Sequence, residues 1–312
     1  MKILFVSRYN NILPSGLTPF IDAQATELIN NGVDVSFFLI KGKGPSSYVK
    51  AIFELNKILK KSRYDLIHGH YGLSGIVAVL QFRLPTVVSL IGCDVNLFRN
   101  RVINKFTVYL FAKHIIFVSE KLKRISGFHG NSDVIPYGID LSEFYPVDKQ
   151  KAKININLSE GSTNILFASR FDRIEKNHSL ATKAIFILEK QLNMKINLVE
   201  FKNIESNKLN DYYNACDLFL MTSIREGSPQ SIKEAMACNI PIVSTDVGDV
   251  KEVIGKTEGC YITSFDPEDV ADNIKKALAF GKKTIGREAV KHLEISATAK
   301  KIIGIYNKVL EK

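Results

Sequence analysis

Short apolar runs alternate with amphipathic stretches along the whole chain. Residues 2–7 and 33–40 form strands around a helix of about 18–31. A helix of about 48–62 carries Tyr48, Ile52, Leu55 and Leu59 on one face and Lys50, Lys57, Lys60 and Lys61 elsewhere. Asp65–Gly72 and Pro85–Asp94 are strands with their following loops, and 114–118 is a further strand. Residues 97–113 are apolar with basic punctuation, which reads as a core helix or as a membrane-surface element. A polar, charged linker is placed at about 145–162. Beyond it come strands 164–169, 195–201, 217–222 and 240–245, and helices 205–214 and 229–238. Helices at about 267–280, 285–293 and 296–311 close the chain. Near-continuous apolar strands are those of buried parallel sheets, and their alternation with helices predicts an α/β protein with helices on both sheet faces.

Composition narrows the class. A length of 312 residues with 46% hydrophobic content holds one large core or two ordinary ones. No apolar run reaches the roughly 20 residues a bilayer span needs. The N-terminus, Met1–Arg8, reads as a strand rather than a signal peptide. Cys93, Cys216, Cys238 and Cys260 show no metal-ligand spacing and read as reduced, packed thiols of a cytoplasmic protein. The net charge of +10 is uneven: residues 1–150 hold 18 Lys+Arg against 11 Asp+Glu. A basic first half suits an anionic partner such as a membrane surface or a lipid phosphate, or it serves solubility alone. No nucleic-acid motif is present, so nucleic acid is the least favoured partner.

The candidate chemistry centres on Ser223–Ala235. It follows an apolar strand and precedes Ile232, Ala235, Met236 and Ala237, a buried helix face, so it is a strand-to-helix turn. Ser228 suits the N-cap and Pro229 the first helical position. The N–H groups at such a helix start bind anions. Glu226 and Glu234 flank that point and suit neutral hydroxyls rather than an anion. An anion held between two hydroxyl acceptors describes a nucleoside diphosphate sugar.

Glu226, seven residues, then Glu234 followed by Ala-Met-Ala-Cys-Asn-Ile-Pro-Ile-Val-Ser-Thr resembles the retaining glycosyltransferases of family 4. A second resemblance lies in Arg170-Phe171-Asp172-Arg173-Ile174-Glu175-Lys176, an arginine and a lysine six residues apart after a strand. The resemblance implies the GT-B fold, two Rossmann-like doubly wound parallel-sheet domains facing across a cleft. It sets the domains at 1–148, which binds acceptor, and 149–295, which binds nucleotide sugar, with helix 296–312 packing back on the first. It implies a hexose-type transferase using a UDP- or GDP-sugar and a glycan or lipid-linked acceptor, as in bacterial surface polysaccharide synthesis. No metal or other cofactor is expected. It implies catalytic roles for Glu226, Arg170 and Lys176. Gly16, Gly227, Ser228, Pro229, Gln230, Ser231, Glu234 and Lys202 would bind donor, with Lys202-Asn203-Ile204 near the base.

His70, Ile91 and Asp94 are candidate acceptor or sugar contacts, at strand ends where open parallel sheets bind ligands. His70 reads equally as a packed histidine, and Asp94 as a residue that shapes its loop. Two departures from the family stand out: Ile91 replaces a histidine, and Tyr137 replaces an asparagine. Only Gly16 remains of a glycine pair in the first loop. The alternatives are a nucleotide-sugar-binding subunit without catalysis, or an epimerase or phosphorylase on the same fold. The expected location is the cytoplasm, including the inner membrane face.

Overall fold

The computed structural model describes residues 1–159, 161–167, 169–202 and 204–311. Among these, the chain forms two parallel sheets flanked by helices, the class the alternating pattern implies. The first sheet comprises β1 (Lys2–Arg8), β2 (Asp34–Ile40), β3 (Leu66–His70), β4 (Thr86–Leu90), β5 (His114–Phe117) and β6 (Ser132–Val134) in the order β2-β1-β3-β4-β5-β6. The second comprises β7 (Thr163–Phe167), β8 (Ile196–Glu200), β9 (Leu218–Met221), β10 (Ile242–Thr245) and β11 (Cys260–Thr263) in the order β11-β10-β9-β7-β8. β3, β4, β5, β9 and β10 are buried at every residue. That is why they read as unbroken apolar runs rather than alternating ones.

The chain divides into two compact units, one of residues 1–138 with the terminal helix Ile295–Leu310, the other Ile139–Glu294. The stretch expected as linker, 145–162, lies in the second unit. Its helix Lys149–Asn155 is capped by Asp148, and Lys149 pairs with Asp217. Phe144 just before it is core. Polarity misled here because this segment covers the unit's surface.

The predicted core helix at 97–113 is also corrected. The structure has short helices Cys93–Asn96, Phe98–Lys105 and Val108–Phe111, separated by non-helical Leu97 and Thr107. Of Phe98–Lys105, only Asn104 is buried.

The first unit is pinned where the chain leaves and re-enters it. Gly138 lies against Ile295, where an added Cβ would sit 2.5 Å from the Ile295 Cα, so the close approach needs glycine. On either side of this junction stands a tyrosine. Tyr306 Oη meets His68 Nδ1 at 2.6 Å, and Tyr137 Oη meets His70 Nδ1 at 3.0 Å. His68 Nε2 meets Ser89 Oγ at 2.8 Å. The two imidazoles stack with centroids 4.2 Å apart and are fully buried. Burial holds His68 down to about 3, and burial plus the neighbouring His68 holds His70 well below the ordinary histidine range.

Both histidines are therefore folded as neutral rings, while the unfolded chain takes protons from about pH 6.5 downward. Their contribution to stability is whole above pH 6.5 and drains as pH falls toward 3. For His68 alone the loss at pH 5 is about 2 kcal/mol. Thermal unfolding should show a lower midpoint at pH 5 than at pH 7, and His68→Gln should flatten that slope.

Candidate active site

The site is built on the carboxyl edge of the second sheet, where three neighbouring strands release their loops. β7 feeds the loop that carries Arg170 to Asn177, β9 feeds 222–229, and β10 feeds Asp246–Asp249. The loops are laced together. Thr222 Oγ1 lies 3.0 Å from the carbonyls of both Lys176 and Asn177, and the Ile224 N–H donates to Glu175 O at 2.9 Å. Thr245 Oγ1 donates to Ser223 O at 2.7 Å. Gly248 has a left-handed φ of +58°, and an added Cβ would sit 2.7 Å from Gly227 O. So the turn after β10 presses directly on the peptide after Glu226.

This lacing brings two predicted residues together. Lys176 Nζ donates to Glu226 Oε1 at 2.6 Å, with both side chains largely shielded from water. Arg170 is placed differently. It is exposed, and Asp172 holds its guanidinium through bonds of 3.0 and 2.6 Å. The charge of Lys202, itself exposed, reaches Asp172, which the Arg170 hydrogen bond keeps below the usual carboxylate range. Of the Lys202–Ile204 loop, Asn203 lies outside the described residues, as does Ala168 of the predicted strand 164–169.

The helix start differs by one position from the prediction. The helix runs Gln230–Ala237, and Pro229, with extended ψ of 120°, takes the cap position without a side-chain cap. Ser228 does not cap. Its hydroxyl donates to Asp249 Oδ2 at 2.6 Å, pulled there by a buried carboxylate. The helix therefore begins beyond Gly227 and Ser228 with no side-chain cap hydrogen bond from its cap residue, the arrangement that suits an anion.

Beneath it lies a residue that sequence reasoning missed. Lys233 is fully buried and donates to Gln230 Oε1 at 2.7 Å. Burial pushes its ammonium down to about 8, with Asp249 and Glu234 opposing. Burial likewise raises Asp249, against Lys233 and Ser228. The helical period carried the signal: 100° per residue sets position 233 between Met236 and Ala237, inside the apolar face. Glu234, on the edge of that face, accepts from Tyr213 Oη at 2.6 Å. Burial pushes its carboxyl up to about 7, with Glu143 adding and Tyr213 and Lys233 opposing.

The first unit's candidates are held inside it. His70 is buried against Tyr137, and among the described residues its Nε2 has no hydrogen-bond partner. It therefore presents no surface to an acceptor. Tyr137, where the family has asparagine, is thus the partner of a buried ring. Asp94 is buried and accepts from the Gly72 and Ile91 N–H groups, both at 2.8 Å, so it ties two strand-end loops. Ile91 is half-buried against the core of the first unit. Gly16 packs against Tyr9 and Leu39.

Residues 17–143 match the family described as Glycosyltransferase Family 4, and residues 187–279 the one described as Glycosyl transferases group 1. The putative teichuronic acid biosynthesis glycosyltransferase TuaC of Bacillus subtilis is 29% identical over 241 residues, covering 68% of this chain. The chain spans about three fifths of TuaC's length, 61%. The N,N'-diacetylbacillosaminyl-diphospho-undecaprenol alpha-1,3-N-acetylgalactosaminyltransferase of Campylobacter jejuni is 24% identical over 313 residues, covering 86% of this chain and 83% of that one. Among solved structures, sucrose-phosphate synthase from Thermosynechococcus elongatus superposes with a TM-score of 0.80 over 99% of both chains at 20% identity, a likeness of fold.

The lacing of the loops gives a stability test. Gly248→Ala adds a left-handed strain and a clash with Gly227 O, so it should cost about 2 kcal/mol or more. Its melting temperature should drop by several degrees. The matched change Gly255→Ala, also at positive φ but with open space, should cost less.

Proposed function

We propose that this chain, a glycosyltransferase of family 4 type, moves a hexose-type sugar from a nucleoside diphosphate donor to a glycan or lipid-linked acceptor. The observation that carries the reading is the shielded Lys176–Glu226 pair beside an uncapped helix start. Lys176 and Glu226 neutralise each other at rest. An arriving diphosphate takes the ammonium and the backbone N–H groups of Gly227, Ser228, Gln230 and Ser231 at the turn and helix start. Glu226 is then released to accept from sugar hydroxyls and to set the anomeric carbon. Glu234 accepts from ribose hydroxyls, and Arg170 and Lys202 stand at the exposed rim for phosphate and base.

In the reaction, the bond between anomeric carbon and phosphate oxygen breaks. A bond to the acceptor oxygen forms on the same face, and the acceptor proton passes to the leaving phosphate. Configuration is retained. This scheme assigns no step to a metal, because Lys176, Arg170 and the helix start balance the departing charge. The acceptor reading is supported by relatives whose names specify teichuronic acid biosynthesis and a diphospho-undecaprenol acceptor. A binding subunit without catalysis is the second reading, favoured by Ile91 in place of a histidine and by the single Gly16 of the first loop.

A panel of UDP- and GDP-sugars, scored for nucleoside diphosphate release with membrane extract as acceptor source, tests the proposal. One donor should be turned over. Glu226→Ala should abolish release, and Lys176→Ala should lower kcat by 10²–10³-fold, on the order of 3–4 kcal/mol. Tight nucleotide binding without release from any donor would assign the binding-subunit reading instead.

The Glu234 carboxyl supplies a pH test. Its acceptor form prevails above about 7 and is lost below it. Nucleotide affinity measured by calorimetry should fall roughly tenfold between pH 7.5 and 5.5. Glu234→Gln should bind weakly at both and lose the slope.

A further inference from the structure

The helices within 97–113, which sequence patterning reads as core or as a membrane-surface element, leave their largest side chains in water. Phe98 is 72% exposed and Phe106 68%, and Phe82, Ile103, Leu110 and Phe111 are exposed with them. Phe82 and Phe111 meet edge to face with centroids 5.3 Å apart, so the patch continues from the loop before β4 onto the helix Val108–Phe111. Isolated exposed apolar residues are ordinary, but large exposed side chains gathered on consecutive short helices mark a surface that is covered in use.

The charge around the patch identifies the cover. Between Asp65 and Glu120 the sequence holds one acidic residue, Asp94, and it is buried. Over the same span it holds Arg83, Arg99, Arg101, Lys105 and Lys113, all exposed but the half-buried Arg101. The Arg101 guanidinium lies over the Phe98 ring at 5.5 Å. At one end Phe82, Leu110 and Phe111 join Arg83, Lys113 and Lys308 around a groove of about 820 Å³. Aromatic rings interleaved with cations that outnumber the exposed Asp65 of the groove lining match the acyl–headgroup boundary of an anionic bilayer. A second copy of this chain fits poorly, because a two-fold contact would set these cations against their own images.

We propose that the face formed by Phe82, Phe98, Phe106, Leu110 and Phe111 docks the first unit onto an anionic lipid bilayer. The rings enter the boundary between headgroups and acyl chains while Arg83, Arg99, Lys105 and Lys113 meet lipid phosphates. No helix among the described residues is long and apolar enough to cross a membrane, so this face holds the protein at the surface. The proposal goes beyond the donor-site reading and stands without it.

Co-sedimentation of the full chain with vesicles tests it. Phosphatidylcholine vesicles with about 30% phosphatidylglycerol should bind the protein in ~0.1 M salt, with neutral vesicles and ~0.5 M salt each weakening binding. Phe98→Ser/Phe106→Ser/Leu110→Ser and Arg99→Glu/Lys105→Glu/Lys113→Glu should each weaken binding at least about tenfold with melting temperature kept. Lys183→Glu/Lys275→Glu/Lys276→Glu, an equal charge change in the second unit, should leave binding within about twofold. Three results overturn the proposal. One is no binding to anionic vesicles, and another is an equal loss in the second-unit variant. The third is a wild-type dimer that the serine variant dissolves, which would assign the face to a second copy. Vesicle binding without nucleotide binding would keep this inference and remove the donor-site reading.

Discussion

The second unit's chemistry depends on an ammonium kept out of water. Lys233 is buried in its own helix, donates to Gln230 Oε1, and feels the charges of both Asp249 and Glu234. Desolvation disfavours all three charges, and their mutual attraction offsets it. The consequence is geometric. Asp249 draws in the Ser228 hydroxyl, which leaves the helix without a side-chain cap. In the proposed function, that amide end is where the diphosphate binds. Glu234, one residue along, accepts from Tyr213, and burial pushes its carboxyl up to about 7 against that bond. A single buried lysine thus acts electrostatically on both Asp249, beside the helix start, and Glu234.

The fold was legible because parallel strands buried on both faces leave a plain mark in sequence. The two sheets and the turn between β9 and its helix follow from apolar runs alone. Boundaries were less legible. The segment 145–162 reads as linker by its polarity, yet it is the outer layer of the second unit around Phe144. The helices at 98–111 read as core by composition, although a short helix broken at Thr107 buries little besides Asn104 and Val108. Hydrophobicity reports a preference for leaving water, and a protein can satisfy that preference with something other than itself.

Site residues divide along the same line. Glu226, Lys176 and Glu234 stand out by type and spacing, since charges near a strand-to-helix turn are few. Lys233 does not stand out, because a lysine beside a glutamate on a helix is ordinary until the helical phase is drawn. His70 shows the opposite error. A histidine at a strand end invites a ligand role, but the tyrosine at 137 that captures it is 67 residues away in the chain. Partnerships of that span are set by topology, which local pattern does not encode.

The second unit opens and closes on paired residues: the Ile139 N–H donates to Leu293 O at 2.9 Å, and Ile139 bridges Glu294. Its two ends therefore meet, and the unit is spliced as one uninterrupted cassette into a host that Ile295–Leu310 completes. A gene encoding such a protein can exchange residues 139–294 for another cassette with the same meeting ends without retying the host's chain. Change in one unit is thereby separable from change in the other, through two peptide junctions set side by side.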